Sequence, residues 1–295
     1  MCFRAHNPPS HRRPYTDDVL QIVDGHKVRL KAPHDFGFLA QWGTVFTVLD
    51  QQDSGNLCFG VEGSDGRLFV KYAGAETERA TTTVAEARAN LRRATEVYRD
   101  LAHPHLVALR FAGEVGTGFA HVFEWVEGVP LGRMYERRSE ADGLGTRERS
   151  TALQQIYDFH VHAVERGWVA VDLYDASVLL DSSTGAVTLC DLDFYTRGPL
   201  VNTMGRMWGS TRFMSPEEFE LGASIDERTN VFALGALAHT LLGDDDSKDP
   251  NSWIGSRAQL AVATTALSPS RADRWPTVAA LANAWRSASA SGAAH

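Results

Sequence analysis

Three aspartates stand at the ends of short apolar runs in the middle of the chain. Asp172 follows the run 168–171, and Asp191 follows the run 187–190, with Asp193 two residues further on. Runs this short, bounded by turn residues, are typical of buried strands. A carboxylate at such a strand end loses solvation, and a divalent cation is one partner that offsets the loss, because hard oxygen ligands suit Mg²⁺. One such aspartate would indicate an ordinary strand end facing water, but three at this spacing favour a functional site.

A serine is predicted to join these aspartates. The runs 178–180 and 187–190 should form an antiparallel hairpin, because the segment between them is polar and contains a glycine. If the turn is centred in the middle of that segment, Ser177 lies opposite the residue that precedes Asp191. We therefore expect Ser177 and the three aspartates at one end of a small sheet.

The composition limits the classes of function. The 295 residues are 43% hydrophobic and 22% charged, which is ordinary for a soluble globular protein, and the net charge of −8 leaves no basic surface for nucleic acid. No apolar run approaches the length needed to cross a bilayer, and the N-terminus lacks the apolar core of a signal peptide. Three cysteines do not make a disulfide framework. We expect a reduced, cytoplasmic protein that binds neither nucleic acid nor membrane.

Lysine is scarce in this chain, which has 4 lysines among 29 basic residues. One of them, Lys71, lies inside the apolar segment 67–73, which indicates a strand. A strand lysine often extends its charge along the surface to water. In a chain that otherwise uses arginine, however, its presence favours a specific need for a compact ammonium group.

The two halves of the chain differ in their predicted elements. The first half predicts a meander of three strands, an amphipathic helix and two further strands. The strand candidates are 45–49, 57–61, 67–73, 107–111 and 119–123, and the helix candidate is 83–102. The second half begins with a predicted helix near 147–166, which leads into the runs that carry the aspartates.

Several segments resemble protein kinases. Segment 170–177 (AVDLYDAS) and segment 191–193 (DLD) resemble the catalytic loop HRDLKPxN and the metal-binding DFG of that family. The aspartates that define both loops are retained, 19 residues apart, whereas the histidine, arginine, lysine, asparagine and glycine of the motifs are replaced; Tyr174 stands where the family has lysine. Segment 209–217 (GSTRFMSPE) resembles the end of the kinase activation segment and is the most specific match. Lys71 takes the place of the family's phosphate-binding lysine.

The resemblance covers about residues 36–285 and implies a bilobal α+β fold of the protein kinase kind. It implies a small β-rich N-lobe over 32–126 and a larger, mostly helical C-lobe over 127–286. The arm 1–31 and the tail 287–295 are expected to be disordered.

The same resemblance implies phosphate transfer with ATP and Mg²⁺ as cofactors. Asp172 would orient the substrate hydroxyl and accept its proton, and Lys71 would hold the α- and β-phosphates. Asp191 would bind Mg²⁺, with Ser177 or Asp193 in place of the family's asparagine.

The expected nucleotide contacts come from a loop and a hinge. Leu49, Gly55 and Leu57 align with the family's glycine-rich loop, of whose three glycines only Gly55 is present. The backbone of Glu124 and Val126 would contact adenine at the hinge. The helix glutamate that pairs with the lysine in kinases has no clear equivalent, because the family spacing leads to an alanine.

Three kinase-like positions outside these motifs, and two pairs of histidines, carry expectations of their own. Glu86 is the candidate substitute for the missing helix glutamate. Asn230 replaces a buried aspartate of the family and can still accept a backbone hydrogen bond. Arg274 should pair with Glu217 and fix the scaffold. The pair His103/His105 is interpreted as structural because it lies in a loop, and the pair His160/His162 because its spacing, on a helix, does not suit a metal site on one face.

Three functions remain open. The favoured one is a Ser/Thr protein kinase-like phosphotransferase that transfers the γ-phosphate to a hydroxyl of a protein, a specificity that Ser210 favours. A kinase for a small-molecule hydroxyl, such as an antibiotic or metabolite, is less favoured because segment 209–217 typifies protein kinases. A pseudokinase, which binds or scaffolds without catalysis, is favoured by the lost glycines and disfavoured by the joint retention of Lys71, Asp172 and Asp191. The oligomeric state is not predicted.

Overall fold

The computed structural model describes residues 19–132, 143–244 and 246–292. The described chain divides into two compact units. Unit 1 contains residues 19–102 and Val107–Val126, and unit 2 contains the other described residues.

Unit 1 begins with a β-hairpin made of β1 (Val19–Val23) and β2 (His26–Leu30). The turn residues Asp24 and Gly25 have positive φ, 48° and 84°, as in the two-residue hairpin turns that Asp-Gly favours. The prediction of a disordered arm through residue 31 is therefore wrong over this hairpin, whose alternating strands and Asp-Gly turn are its sequence signals. The first 18 residues lie outside the described part of the chain.

The main sheet of unit 1 is antiparallel and has the strand order β3-β4-β5-β7-β6. Its strands are β3 (Thr44–Leu49), β4 (Leu57–Gly63), β5 (Gly66–Ala73), β6 (Leu109–Val115) and β7 (Gly118–Glu124). A 3₁₀ helix, Gly37–Gln41, precedes β3, and helix α1 (Val84–Asp100) follows β5 in the chain. The predicted meander, helix and final strand pair are confirmed, with boundaries shifted by a few residues.

Different elements cover the two faces of this sheet. One face forms a core with the hairpin and the 3₁₀ helix, which includes Val28, Leu30, Leu39, Leu57, Phe59, Val70 and Tyr72. The other face packs on α1, where Ala73 and Phe119 form a cluster with Ala87 and Leu91. Because β4 and β5 are covered on both sides, their sequences are apolar runs rather than strict alternations.

Unit 2 consists of helices and short antiparallel strand pairs. Its helices are α2 (Thr146–Glu165), α3 (Glu227–Leu242), α4 (Arg257–Ala266) and α5 (Val278–Gly292). Its strands are β8 (Val129–Pro130), β9 (Trp168–Val169), β10 (Val178–Leu180), β11 (Val187–Leu189), β12 (Thr196–Arg197), β13 (Leu200–Val201) and β14 (Ser224–Ile225). Strand β10 lies between β8 and β11, while β9 pairs with β12 and β13 pairs with β14. The 3₁₀ helices are Asp175–Ser177, Pro216–Phe219, Pro250–Ser252 and Arg271–Asp273.

Helix α3 forms the buried centre of unit 2. Its N-cap is Asp226, whose carboxylate accepts from the backbone N–H of Arg228 at 2.8 Å. Nearly every side chain from Thr229 to Leu242 is buried, and α2, α4 and α5 pack around the helix. A helix surrounded in this way needs apolar residues on all its faces, as this one has.

Helix α5 extends further than predicted. Ala288 is buried, and the hydroxyl of Ser289 lies 3.0 Å from that of Ser150 on α2. These contacts keep the small residues on a packed helix face, so the prediction of a disordered tail from residue 287 is wrong as far as Gly292. Residues 293–295 lie outside the described part of the chain.

The predicted α+β class, with a β-rich N-terminal region and a mostly helical C-terminal region, is confirmed. None of the helices in the described ranges combines the length and the hydropathy that crossing a membrane would require.

Candidate functional site

Lys71 lies in a cross-strand row of unit 1. The register places Leu49 opposite Cys58, Cys58 opposite Lys71, and Lys71 opposite His121. Directly opposed residues point to the same face of a sheet, so Leu49 and Lys71 share a face. Helix α1 packs on this face, where Thr95 Oγ1 lies 2.9 Å from His121 Nε2. Lys71 is only 3% exposed.

Leu57 points the opposite way. It pairs with Tyr72 in the register and is fully buried in the core shared with the hairpin. Successive residues of a strand alternate between faces, so Leu57 lies on the other side of the sheet from Lys71. The geometry contradicts the prediction that both side chains contact one nucleotide, because Cys58 occupies the Lys71 face at this point.

None of the buried side chains of helix α1 is a carboxylate. Glu86 is exposed, and its carboxylate accepts from the backbone N–H and the hydroxyl of Thr83, at 2.8 and 2.9 Å. These hydrogen bonds lower the pKa of Glu86. The helix positions that are buried carry Ala94 and Thr95 among other uncharged residues. Glu86 is therefore an N-terminal capping residue, and its prediction as the substitute helix glutamate is wrong.

The loop between β3 and β4 is tied to the segment that leads into α1. The backbone N–H and the hydroxyl of Thr81 both donate to the carbonyl of Asp53, at 2.9 and 3.0 Å. The hydroxyl of Thr82 donates to the carbonyl of Ser54 at 2.9 Å. Gly55 has a φ of 79°, and a side chain there would come within 3.0 Å of Thr82, so the turn itself requires glycine.

The two predicted hinge residues lie at the end of unit 1. Glu124 is the last residue of β7, and its backbone N–H donates to the carbonyl of Ala108 at 3.0 Å. Its side chain forms an ion pair with Arg110. Val126, two residues on, is half-buried. The N–H of Glu124 is thus used within the sheet, and the carbonyl groups of this segment stay candidates for adenine contact.

In unit 2, the predicted hairpin register is confirmed. Val178 lies opposite Leu189, and the N–H of Cys190 donates to the carbonyl of Ser177 at 2.9 Å. Ser177 therefore lies beside Asp191, as expected from a turn centred between the two strands.

Asp172 and Asp191 adopt the same unusual backbone. Each has a φ of 60°, in the left-handed region that residues other than glycine seldom occupy, although aspartate tolerates it better than most. Both carboxylates act electrostatically on the hydroxyl of Tyr195. The structure thus brings these two predicted residues to one small region of unit 2.

Two further oxygen-bearing side chains belong to this region: Ser177 lies opposite Cys190 in the hairpin, and Asp193 follows Asp191 by two residues. The hydroxyl of Ser177 is 2% exposed and has no hydrogen-bond partner, and Asp193 is also buried. Among the described residues, no three side chains of His, Cys, Asp or Glu are grouped so that they alone hold a metal ion. A metal at Asp191 would therefore need hydroxyl or ligand oxygens as well.

The segment 209–217 adjoins Asp172. A side chain built at Gly209 would lie 3.7 Å from Oδ1 of Asp172, and Gly209 has a φ of 146°. At the other end of the segment, the predicted pair is confirmed: Glu217 accepts from Arg274 at 2.7 and 2.9 Å. Burial by itself raises the pKa of Glu217, but the hydrogen bonds and charge of Arg274, together with a backbone hydrogen bond and one from Thr229, hold that pKa below its ordinary value.

Sequence reasoning missed a second ion pair beside the catalytic loop. Asp175 is completely buried, and its Oδ2 accepts from Arg212 at 2.8 Å. The pair ties the loop to segment 209–217, which Arg212 belongs to. Sequence gives no local signal for this contact, because the partners are 37 residues apart.

A buried tyrosine–histidine pair was also missed. His160 Nδ1 lies 2.7 Å from the carbonyl of Ile156 and its Nε2 lies 2.8 Å from the hydroxyl of Tyr195. The carbonyl can only accept, so Nδ1 carries the proton and Nε2 accepts from Tyr195. Burial lowers the pKa of His160 to about 4, and burial together with the nearby aspartates raises that of Tyr195.

Three of the four histidines interpreted above as structural lie next to one another. His103 lies between His105 and His162, with ring centroids 5.3 and 5.0 Å away. The backbone N–H of His105 donates to Nδ1 of His103, and its own Nδ1 lies 3.2 Å from the carbonyl of Val187. These bonds agree with the structural interpretation.

No family model matches the chain. Curated proteins similar to it include NUAK family SNF1-like kinase 2 of Rattus norvegicus, 26% identical over 156 residues, which is 52% of this chain and 24% of the relative. Serine/threonine-protein kinase PrkC of Bacillus subtilis (strain 168) is 26% identical over 154 residues, 51% of this chain and 23% of the relative. Probable serine/threonine-protein kinase PknB of Lactococcus lactis subsp. lactis (strain IL1403) is 26% identical over 171 residues, which is 57% of this chain and 26% of the relative. The matches thus span about a quarter of each relative.

The chain is protein kinase-like. This kinase-like character agrees with the order of the elements and with the Glu217–Arg274 pair. It leaves the activity to be argued from the residues described above.

Proposed function

We propose that this chain is an ATP-dependent phosphotransferase of the Ser/Thr protein kinase type, which transfers the γ-phosphate to a hydroxyl. The observation that supports it best is the arrangement of Asp172 and Asp191. They share a left-handed backbone, and, after burial, their charges raise the pKa of the same hydroxyl, that of Tyr195. Strained backbone at two acidic residues in one region is more typical of a functional site than of a scaffold.

Asp172 is the proposed acceptor of the substrate's hydroxyl proton. Phosphoryl transfer depends mainly on positioning and on neutralising charge, so the protein needs few reacting groups. The carboxylate of Asp172 adjoins Gly209, where the absence of a side chain leaves room beside it. Ser210 follows directly, and a hydroxyl-bearing segment of a protein is the proposed substrate.

The oxygen donors around Asp191 fit Mg²⁺. The carboxylate of Asp191 is a hard ligand, and the buried hydroxyl of Ser177 is an oxygen without a partner. Asp193 is the alternative donor. When bound, Mg²⁺ would neutralise phosphate charge; the contribution of the chain is to hold these oxygens at the end of the β10–β11 hairpin.

Lys71 is the proposed phosphate contact of unit 1. It is the buried lysine of a sheet face that also carries Leu49, and its ammonium suits the α- and β-phosphates. The loop after β3 carries Asp50, whose charge would repel a phosphate if it faced Lys71. Asp50 turns away to accept from the backbone N–H of Arg29 at 2.9 Å and also pairs with its side chain.

One specific observation favours a second candidate, a kinase-like binding module without catalysis. Helix α1 buries no carboxylate, and the loop that carries Gly55 is held down through Thr81 and Thr82. A scaffold would tolerate both features, whereas an active enzyme must work with them. The retained Asp172 and Asp191 favour the enzyme.

The test compares two lysines of the same unit. Wild type, Lys71→Ala and Lys31→Ala are titrated with ATP and Mg²⁺, and transfer of label from [γ-³²P]ATP to protein is followed. Lys31 is exposed and serves as the matched control. We expect Lys71→Ala to lose most transfer while Lys31→Ala keeps it, provided that circular dichroism shows both variants folded. Equal transfer by the two variants would contradict the assignment of Lys71, and no transfer by wild type would favour the binding module.

A further inference from the structure

Asp175 is a buried carboxylate in the loop that follows Asp172. It begins the 3₁₀ helix Asp175–Ser177 and is completely buried. Its Oδ2 accepts from Arg212 at 2.8 Å, while its Oδ1 has no hydrogen-bond partner within the described part of the chain. A carboxylate loses much solvation on burial, and only a cation and hydrogen bonds offset that loss. The burial of Asp175 therefore depends on Arg212.

This pair does not follow from the kinase motif that the loop resembles. When segment 170–177 is set against HRDLKPxN, Asp175 stands in the place of the proline. A proline side chain has no polar atom and accepts nothing from an arginine. The contact between Asp175 and Arg212 is therefore a feature of this chain and not of the motif.

Arg212 belongs to a short turn over residues 210–213. The N–H of Phe213 donates to the carbonyl of Ser210 at 2.9 Å, which closes the turn. Thr211, inside the turn, is exposed, and Ser210 and Arg212 are partly exposed. The turn thus presents a surface on which a protein chain can lie.

The turn also has to be placed relative to Asp172. Gly209 precedes the turn, and a side chain there would lie 3.7 Å from Oδ1 of Asp172. Arg206 donates to the carbonyl of Gly209 at 3.2 Å, but this bond stays within one stretch of the chain. The ion pair of Asp175 with Arg212 joins two stretches, because it connects the turn to the loop that follows Asp172.

We propose that Asp175 is a positioning residue: through Arg212 it holds the turn 210–213 beside Asp172, where the turn presents the hydroxyl of a protein substrate. The proposal rests on the function proposed above. A hydrogen-bonded arginine–carboxylate pair supplies both strength and a fixed direction. Placement matters here because phosphoryl transfer depends mainly on positioning. The residues proposed to contact ATP itself lie in unit 1, so transfer to protein should depend on the pair more than ATP binding does.

Two variants remove the pair. Asp175→Ala removes the acceptor. Arg212→Met alone would leave the buried carboxylate without its arginine, so it is combined with Asp175→Ala in a double variant that removes both charges. The matched control is Asp158→Ala, which breaks the half-exposed pair of Asp158 with Arg286 in the same unit.

Hydrogen exchange of the whole chain, followed by mass spectrometry, measures whether the turn is held. Peptides covering 209–214 should exchange about 10-fold faster in both Asp175 variants, because a hydrogen bond between charged groups contributes at least about that factor. Peptides from α3 should keep their protection, and Asp158→Ala should match wild type over 209–214. Unchanged exchange over 209–214 in Asp175→Ala, whatever the double variant shows, or a rise that extends equally to α3 in both variants, would overturn the proposal.

A kinetic readout separates this proposal from the proposed function, with myelin basic protein as the substrate probe. If wild type phosphorylates it, Asp175→Ala should lower kcat/KM for this protein about 10-fold, while KM for ATP and the slow hydrolysis of ATP by water change less than about twofold. An equal loss of both reactions would show only fewer active molecules and would contradict a positioning role. If wild type transfers no phosphate but exchange over 209–214 still depends on Asp175, the link between loop and turn stands and the phosphotransferase function fails.

Discussion

The side chain of Asn230 holds the backbone of Ala170 from both sides. Its Oδ1 accepts from the N–H of Ala170 at 3.0 Å, and its Nδ2 donates to the carbonyl of Ala170 at 2.8 Å. Asn230 is buried near the start of α3, and Ala170 lies two residues before Asp172. An amide satisfies both backbone groups, whereas the aspartate of the kinase motif can only accept. The central helix of unit 2 thus fixes the catalytic-loop backbone through a pair of bonds that requires asparagine.

Asn230→Asp is therefore expected to destabilise the protein, although it restores the residue of the kinase motif. The carboxylate would face the Ala170 carbonyl in a buried site, which loses one hydrogen bond and sets two acceptors against each other. We expect a loss of about 2 kcal/mol or more in the free energy of unfolding, measured with urea. The exposed Asn251→Asp should change it by less than about 0.5 kcal/mol. A variant Asn230→Asp as stable as wild type would refute this account.

Arg274→Met tests the scaffold pair. Arg274 is fully buried and donates twice to Glu217, so its loss leaves a buried carboxylate with Arg271 as its remaining cation. Breaking a buried pair on one side costs about 3–5 kcal/mol, and the retained arginine should place this variant at the lower end. The half-exposed pair of Arg286 with Asp158 is the control, and Arg286→Met should cost less than about 1 kcal/mol. Similar losses of unfolding free energy in both variants would show that burial of the pair does not matter.

Glu218 predicts a pH dependence of stability. Burial raises the pKa of Glu218 from 4.5 to about 7, although hydrogen bonds from Ser215 oppose the rise. Between these values the unfolded carboxyl is ionised while the folded one keeps its proton, so the contribution of Glu218 to stability falls as pH rises from 4.5 to 7. The change amounts to about 3 kcal/mol.

Urea unfolding at several pH values measures that change. Glu218→Gln should lose this contribution, because the amide accepts from Ser215 without titrating, so its unfolding free energy relative to wild type should rise by about 3 kcal/mol from pH 4.5 to 7. Glu220→Gln, which alters an exposed neighbour, should retain it. Burial lowers the pKa values of His160 and His239 to about 4, so these histidines add stability as pH rises through the same window, and the comparison with Glu218→Gln separates the two effects. Glu217, whose pKa is lowered, acts only below pH 4.5. A difference between Glu218→Gln and wild type that is the same at pH 4.5 and at pH 7 would contradict this account.

Local patterns predicted the elements well. The hairpin that places Ser177 beside Asp191 followed from two short apolar runs and one polar turn, because register in a hairpin depends on turn length. The N-terminal hairpin with Asp24 and Gly25 had an equally strong signal, but the Pro-, His- and Arg-rich residues before it obscured that signal.

Errors of one residue or one turn account for two wrong site predictions. The prediction placed Leu57 on the sheet face of Lys71, but its neighbour Cys58 lies on that face. A shift by one residue moves every side chain of a strand to the opposite face. Glu86 lies three residues after Thr83, which is the spacing of a capping box, and that signal outweighs its resemblance to a helix glutamate.

Contacts between distant residues divide into two groups. The Glu217–Arg274 pair, 57 residues apart, was predicted only because both residues lie in kinase-like segments. The Tyr195–His160 and Arg212–Asp175 contacts depend on how unit 2 packs, and no pattern of spacing or hydropathy marks them. These are the contacts that distinguish this chain from the motifs it resembles.

The most direct test of the central claim is transfer of the γ-phosphate by wild type beside Asp172→Ala. Both proteins are incubated with [γ-³²P]ATP and Mg²⁺, and label on protein is measured, with Asp65→Ala as a control for loss of an exposed carboxylate. We predict that wild type and Asp65→Ala transfer phosphate, while Asp172→Ala, folded by circular dichroism, loses at least about 100-fold in rate. Nucleotide binding without transfer in all three proteins, or equal transfer with and without Asp172, would contradict the assignment of this chain as a phosphotransferase that acts through Asp172.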